Sequence, residues 1–118
     1  MTDSVLVAEH PAGDRVVGQL TLNAEKTLNS LTREMVEIIT DRLEAWADDD
    51  KVVAVFIDGA GEKAFCAGGD VQALRNSCIE TPGGPCEYAE HFFAREYRMN
   101  YLLQTCGKPL ICWGHGVV

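Results

Sequence analysis

Val52-Val-Ala-Val-Phe-Ile-Asp-Gly-Ala-Gly-Glu-Lys-Ala-Phe-Cys-Ala-Gly-Gly-Asp70 decides how this chain folds. It opens on Val52–Ile57, mostly β-branched and aromatic residues with no polar interruption, the pattern of a strand buried on both faces. It closes on Asp70, placed to cap a helix that starts at Val71. Between them, Ala67, Gly68 and Gly69 leave the main chain uncovered, so a ligand can meet backbone N–H groups directly. Amides held beside a helix N-terminus suit negative charge, either a phosphate or the oxyanion of an acyl-transfer step. A tight turn whose glycines serve only positive φ is the plainer reading of the same residues.

Upstream, Val5–His10 and Val16–Asn23 read as two strands joined by a turn at Pro11-Ala-Gly-Asp14. Asn23 to Ser30 is a connecting loop. Leu31, Met35, Ile38, Ile39, Leu43 and Trp46 then recur at helical spacing, predicting a helix from Thr32 to Ala47. Asp48-Asp-Asp50 is its acidic stop. Downstream of the glycines, a short helix runs from Val71 to Asn76, and Thr81-Pro-Gly-Gly-Pro85 is irregular. A long helix follows from Glu87 to Thr105, ended by Gly107 and Pro109, and Leu110–Trp113 is the next buried strand. Strands alternating with helices predict an α/β fold with a mostly parallel inner sheet and flanking helices.

Ten basic against eighteen acidic residues give a net charge of −8. That balance argues against a nucleic-acid or anionic-membrane surface, either of which needs a basic stripe. No apolar run is long enough to span a bilayer. The five cysteines, Cys66, Cys78, Cys86, Cys106 and Cys112, show no C-x-x-C spacing and read as reduced thiols. With the acidic start Met1-Thr-Asp-Ser, which suits neither a signal nor a transit peptide, they suggest a cytoplasmic protein. The three histidines lie far apart, which does not suggest a metal site. The loop also lacks the Gly-Lys-Ser/Thr ending of a Walker motif and the spacing of a dinucleotide fingerprint.

Among side chains, Glu96 stands out. Its neighbours three and four residues away are Phe92, Phe93, Met99 and Asn100, so the usual ion pair along a helix has no partner. A carboxylate in an apolar stripe is suited to acid–base or substrate-binding work, unless it reaches solvent at the helix edge. Lys26 sits in a loop after a strand, where its ammonium could meet a phosphate or simply be solvated. Cys66 has no histidine near it in sequence and reads as a buried structural thiol. His115, between glycines, is expected to pack or to bond the backbone.

Lys63-Ala-Phe-Cys-Ala-Gly-Gly-Asp70 resembles the oxyanion-loop signature of the crotonase superfamily of enoyl-CoA hydratases, isomerases and acyl-CoA hydrolases. Leu20-Thr-Leu-Asn-Ala-Glu-Lys-Thr-Leu-Asn-Ser-Leu31 is similar to the family's first CoA-binding turn. His91-Phe-Phe-Ala-Arg-Glu-Tyr-Arg-Met-Asn100 and Lys108-Pro-Leu-Ile-Cys-Trp-Gly-His-Gly-Val-Val118 resemble the 3-hydroxyisobutyryl-CoA hydrolase branch. The resemblance implies crotonase-like ββα repeats, with residues 1–118 as the N-terminal part of a domain truncated after Val118. It implies an acyl-CoA thioester hydrolase, with an enoyl-CoA hydratase or isomerase, or a catalytically incomplete CoA-binding fragment, as alternatives. The Ala67 amide, or a neighbour within one residue, becomes half of an oxyanion hole, with Gly68, Gly69, Asp70 and Glu96 on the substrate. Lys26, Leu28, Phe65 and Ala67 become CoA contacts, Phe65 packing the loop beside an adenine pocket. The implied partner is an acyl-CoA, with coenzyme A entering as part of the substrate and no separate cofactor. A homo-oligomer is a further expectation.

Overall fold

The computed structural model describes residues 3–80 and 82–118. Its elements are β1 (Val5–Ala12), β2 (Arg15–Leu22), a single 3-10 turn (Glu25–Thr27), α1 (Arg33–Ala47), β3 (Val52–Gly59), α2 (Val71–Glu80), α3 (Glu87–Thr105) and β4 (Leu110–Cys112). The four strands form one sheet in the order β1-β2-β3-β4. β1 and β2 are an antiparallel hairpin, while β2 to β3 and β3 to β4 pair in parallel. The α/β architecture with a mostly parallel sheet is therefore as expected.

The core lies between one face of this sheet and two helices. Leu20, Leu22, Val52, Val55 and Ile57 point inward from the strands. Met35, Val36, Ile39, Leu43 and Trp46 meet them from α1, and Phe92 and Met99 from α3. Full burial of each such side chain stabilises the fold by about 1.5–3 kcal/mol. Gly18 makes room for Trp46, since a Cβ there would lie 2.6 Å from the indole ring. The indole N–H then donates to Glu9 at 3.1 Å. At the start of α1, the Thr32 hydroxyl accepts from the Met35 amide at 3.1 Å, satisfying one of the four orphan donors of a helix N-terminus.

Four expectations change. The β1–β2 turn is tighter, because pairing continues to Ala12↔Arg15 and leaves Gly13 and Asp14 as the turn. Pro11 is tolerated inside β1 because, among the described residues, this strand is at the sheet edge and pairs only with β2. β3 is buried on one face and not on both: Val52 is fully buried and Val53 is exposed. β4 stops at Cys112, short of Trp113, and is largely exposed, with Ile111 within it and Trp113 just beyond it open to solvent. Finally, α2 runs four residues beyond Asn76, to Glu80. Thr81, the first residue of the irregular stretch, lies outside the described residues.

Candidate functional site

Two neighbouring features carry the residues singled out above. The first is an open cavity of about 490 Å³ between residues 25–29 and residues 60–64, with Lys26, Leu28 and Lys63 on its wall beside Glu25 and Glu62. Its two rims are joined by Asn29, a fully buried polar side chain. The Asn29 Oδ1 accepts from the Ala24 amide at 2.8 Å. Its Nδ2 donates to the Ala60 carbonyl at 3.1 Å and the Ala64 carbonyl at 2.9 Å. Leu28 and Asn29 both have left-handed backbone, with φ of 53° and 56°. Asparagine tolerates this conformation better than most residues. It turns the chain after the 3-10 turn so that the amide side chain can reach across to residues 60–64. On the second rim, His115 Nε2 donates to the Gly61 carbonyl at 2.8 Å, which is the backbone bond expected of this histidine.

The second feature is the glycine loop. Leu31 and Gly69 form an isolated parallel bridge: the Leu31 amide donates to the Gly68 carbonyl at 2.7 Å, and the Asp70 amide to the Leu31 carbonyl at 2.8 Å. Gly68 needs to be glycine, since its φ is 105°. Asp70 caps α2 as expected, its Oδ1 accepting from the Ala73 amide at 3.2 Å. The Ala67 amide, expected as the oxyanion donor, is instead engaged inside the protein, donating to the Leu28 carbonyl at 3.0 Å. The Gly68 amide donates to the Cys66 sulfur at 3.4 Å. Among the described residues nothing accepts from the Gly69 amide, two positions beyond Ala67.

α3 covers Gly69. A Cβ on this glycine would sit 3.3 Å from the Phe92 ring and 3.9 Å from Glu96 Oε2. Glu96 is half-buried, and the two salt bridges among the described residues, Arg33–Glu37 and Arg98–Glu44, do not include it. The carboxylate missing a cation in the sequence therefore faces the loop whose amide is open. Cys66 is close enough to feel the Glu96 charge, but it is half-buried rather than sealed in the core. Burial first, and then the Glu96 and Cys112 charges, push its thiol above the ordinary range, against the Gly68 hydrogen bond. That is the setting of a weak nucleophile.

Lys26 and Leu28 thus stand at the cavity, and Gly68, Gly69, Asp70 and Glu96 at the loop, with the Leu28–Ala67 hydrogen bond linking the two. Phe65 is not on the cavity wall; it packs against the hydrophobic core. Asn29 and Lys63 were missed as site residues. Only the Thr-Leu-Asn-Ser order could have pointed to Asn29, as a left-handed position in a turn. Among the described residues no group of three or more His, Cys, Asp or Glu side chains is placed to hold a metal ion. Nor is any described helix long and apolar enough to cross a membrane.

A family model described as enoyl-CoA hydratase/isomerase matches residues 17–118. The mitochondrial 3-hydroxyisobutyryl-CoA hydrolase of Bos taurus is 40% identical over 100 residues, covering 85% of this chain and 25% of that protein. The small ribosomal subunit protein mS47 of Neurospora crassa is 38% identical over 96 residues, covering 81% of this chain and 19% of that protein. A crystal structure of a carnitinyl-CoA dehydratase from Mycobacterium thermoresistibile superposes with a TM-score of 0.86 at 42% identity, covering 99% of this chain and 32% of that one. The chain spans about a quarter of the length of the curated hydrolases it matches.

Proposed function

The chain belongs to the enoyl-CoA hydratase/isomerase family, and from that premise we propose that it carries the thioester-binding part of a 3-hydroxyisobutyryl-CoA hydrolase. One observation supports this above the others: Glu96 Oε2 stands beside Gly69, whose amide is open. A thioester carbonyl placed over the loop accepts from the Gly69 N–H, which strengthens as charge develops on oxygen. Glu96, reached from the acyl side, accepts a hydrogen bond from the hydroxyl of a hydroxyacyl group. The phosphates of coenzyme A lie toward the cavity, near Lys26 and Lys63, with Leu28 beside them. Glu25 and Glu62 on the same wall weaken that field, so the lysines act by direct contact more than by long-range attraction. Phe65 supports the loop from the core side. The remaining oxyanion donor and the carboxylates of hydrolysis come, in this proposal, from the rest of a longer enzyme. Coenzyme A is part of the substrate, and no separate cofactor is invoked. The free thiols fit a reducing compartment, which we take to be the cytoplasm; the hydrolases matched above are named as mitochondrial.

The likeness to a ribosomal protein favours a second reading, in which the fold is kept as a binding or assembly module without turnover. One experiment separates the readings: assay the full-length protein for coenzyme A release from 3-hydroxyisobutyryl-CoA and for hydration of an enoyl-CoA. Thioester hydrolysis that falls in Glu96→Gln supports the proposal. Hydration without hydrolysis moves the protein to the hydratase branch, and acyl-CoA binding without either reaction supports the module.

A further inference from the structure

The two cysteines at the ends of the α2–α3 connection are unlike the other three. Cys78, on the last turns of α2, and Cys86, the residue before α3, bring their sulfurs to 3.1 Å. We propose that Cys78 and Cys86 form a reversible disulfide site, closed by exchange with a small-molecule disulfide such as oxidised glutathione and reopened by thiols.

Geometry carries the proposal. A disulfide needs its sulfurs at about 2.05 Å, so closure requires an approach of only about 1 Å. The intervening chain holds Pro82, Gly83, Gly84 and Pro85 outside any helix, where a small adjustment disturbs no ladder of backbone hydrogen bonds. Cys78 is exposed and Cys86 is half-buried, so a small disulfide can reach the pair. The two thiols are also chemically unequal. The Ser77 hydroxyl, 3.0 Å from the Cys86 sulfur, and then the Cys78 thiol hold Cys86 below the ordinary thiol range; the charge of Glu90 works against them. The same contact with Cys86 pushes Cys78 upward. Cys86 is therefore the attacking thiolate and Cys78 the resolving thiol.

The exchange balances in two steps. Cys86 sulfur bonds to one sulfur of oxidised glutathione, that S–S bond breaks, and one glutathione leaves as thiolate. Cys78 then loses its proton and attacks the Cys86 sulfur, expelling the second glutathione. Both protein thiols are oxidised, one glutathione disulfide is reduced to two thiols, and the two protein protons end on the departing glutathiones. The bond ties the end of α2 to the start of α3, and these helices flank Gly69.

The test treats the folded full-length protein with oxidised glutathione, alkylates the remaining thiols and digests. Cleavage at arginine leaves Cys78 and Cys86 in one peptide, Asn76–Arg95. That peptide is expected two hydrogens lighter and unalkylated, with its halves still joined after further cleavage at Glu80 until a thiol is added. Cys66, Cys106 and Cys112 are expected to be alkylated. Cys78→Ser should trap glutathione on Cys86, whereas Cys86→Ser should leave Cys78 alkylated. Full alkylation of both cysteines in the treated wild type would overturn the proposal. So would glutathione retained on each of them, or trapping in Cys86→Ser but not in Cys78→Ser.

Discussion

The cavity and the glycine loop share one hydrogen bond but are held in different ways. The cavity rims are joined by a buried side chain, Asn29, which bonds residues 24, 60 and 64, and His115 holds the second rim at Gly61. The loop is anchored on one side by Leu31 and covered on the other by Phe92 and Glu96 of α3. α3 presents Tyr97 and Tyr101 to solvent, and α2, which the loop feeds, buries no residue fully. The nucleotide end of the proposed site is thus built into local backbone geometry, while its acyl end depends on where one helix lies. Binding of coenzyme A and selection of the acyl group should then be separable by mutation.

The largest effect is expected at Gly69. Gly69→Val in the full-length protein sets branched carbons against the Phe92 ring and over the open amide. It should lower thioester turnover by about 2–4 kcal/mol in transition-state stabilisation, read as kcat/KM. Turnover at the wild-type rate in a folded variant would remove the loop from the chemistry. Asn29→Ala breaks the other half. It leaves the Ala24 amide and the Ala60 and Ala64 carbonyls without this partner and places alanine in left-handed backbone. A stability loss of about 2–3 kcal/mol by denaturant titration is expected, together with weaker binding of coenzyme A itself.

Glu96→Gln sharpens the contrast. Hydrolysis of a hydroxylated acyl-CoA should fall by about 1–2 kcal/mol, while an analogue without the hydroxyl changes much less, because the amide oxygen accepts more weakly than a carboxylate. Equal loss on both substrates would make Glu96 a structural residue. Smaller still, Lys26→Ala and Lys63→Ala should each weaken coenzyme A binding by up to about 1 kcal/mol, and less at high salt, as exposed charges do. Salt-independent losses would place the phosphates elsewhere. Cys66→Ser should leave turnover within about tenfold, since burial pushes its thiol above the ordinary range, a poor setting for a nucleophile.

Much of this arrangement is legible in the sequence. Periodicity places α1, glycines and prolines mark where α3 ends, and Asp70 announces the start of α2, whereas the breakers at Pro11–Asp14 overstate the length of the first turn. What periodicity cannot tell is which faces are covered. Val52–Ile57 has the composition of a doubly buried strand, yet Val53 is exposed, because burial depends on which elements pack on each face. Glu96 could be noticed for its missing cation, but only the tertiary packing of α3 brings it to Gly69. Asn29 shows the same limit more sharply: its partners at 60 and 64 lie more than thirty residues away and carry no side-chain signal. The choice of backbone donor is hardest of all, since every residue of Ala67-Gly-Gly69 has an amide. Its assignment turns on the Leu28 carbonyl, which occupies the Ala67 N–H.

That assignment is tested most directly by following the backbone amides of the full-length protein while a non-hydrolysable ketone analogue of 3-hydroxyisobutyryl-CoA binds. Selective 15N labelling of alanine and glycine resolves the two candidates. The Gly69 amide proton is predicted to move downfield and become protected from exchange, with Ala67, retained by Leu28, little changed. A shift confined to Ala67, with Gly69 unmoved by the bound carbonyl, would contradict the account.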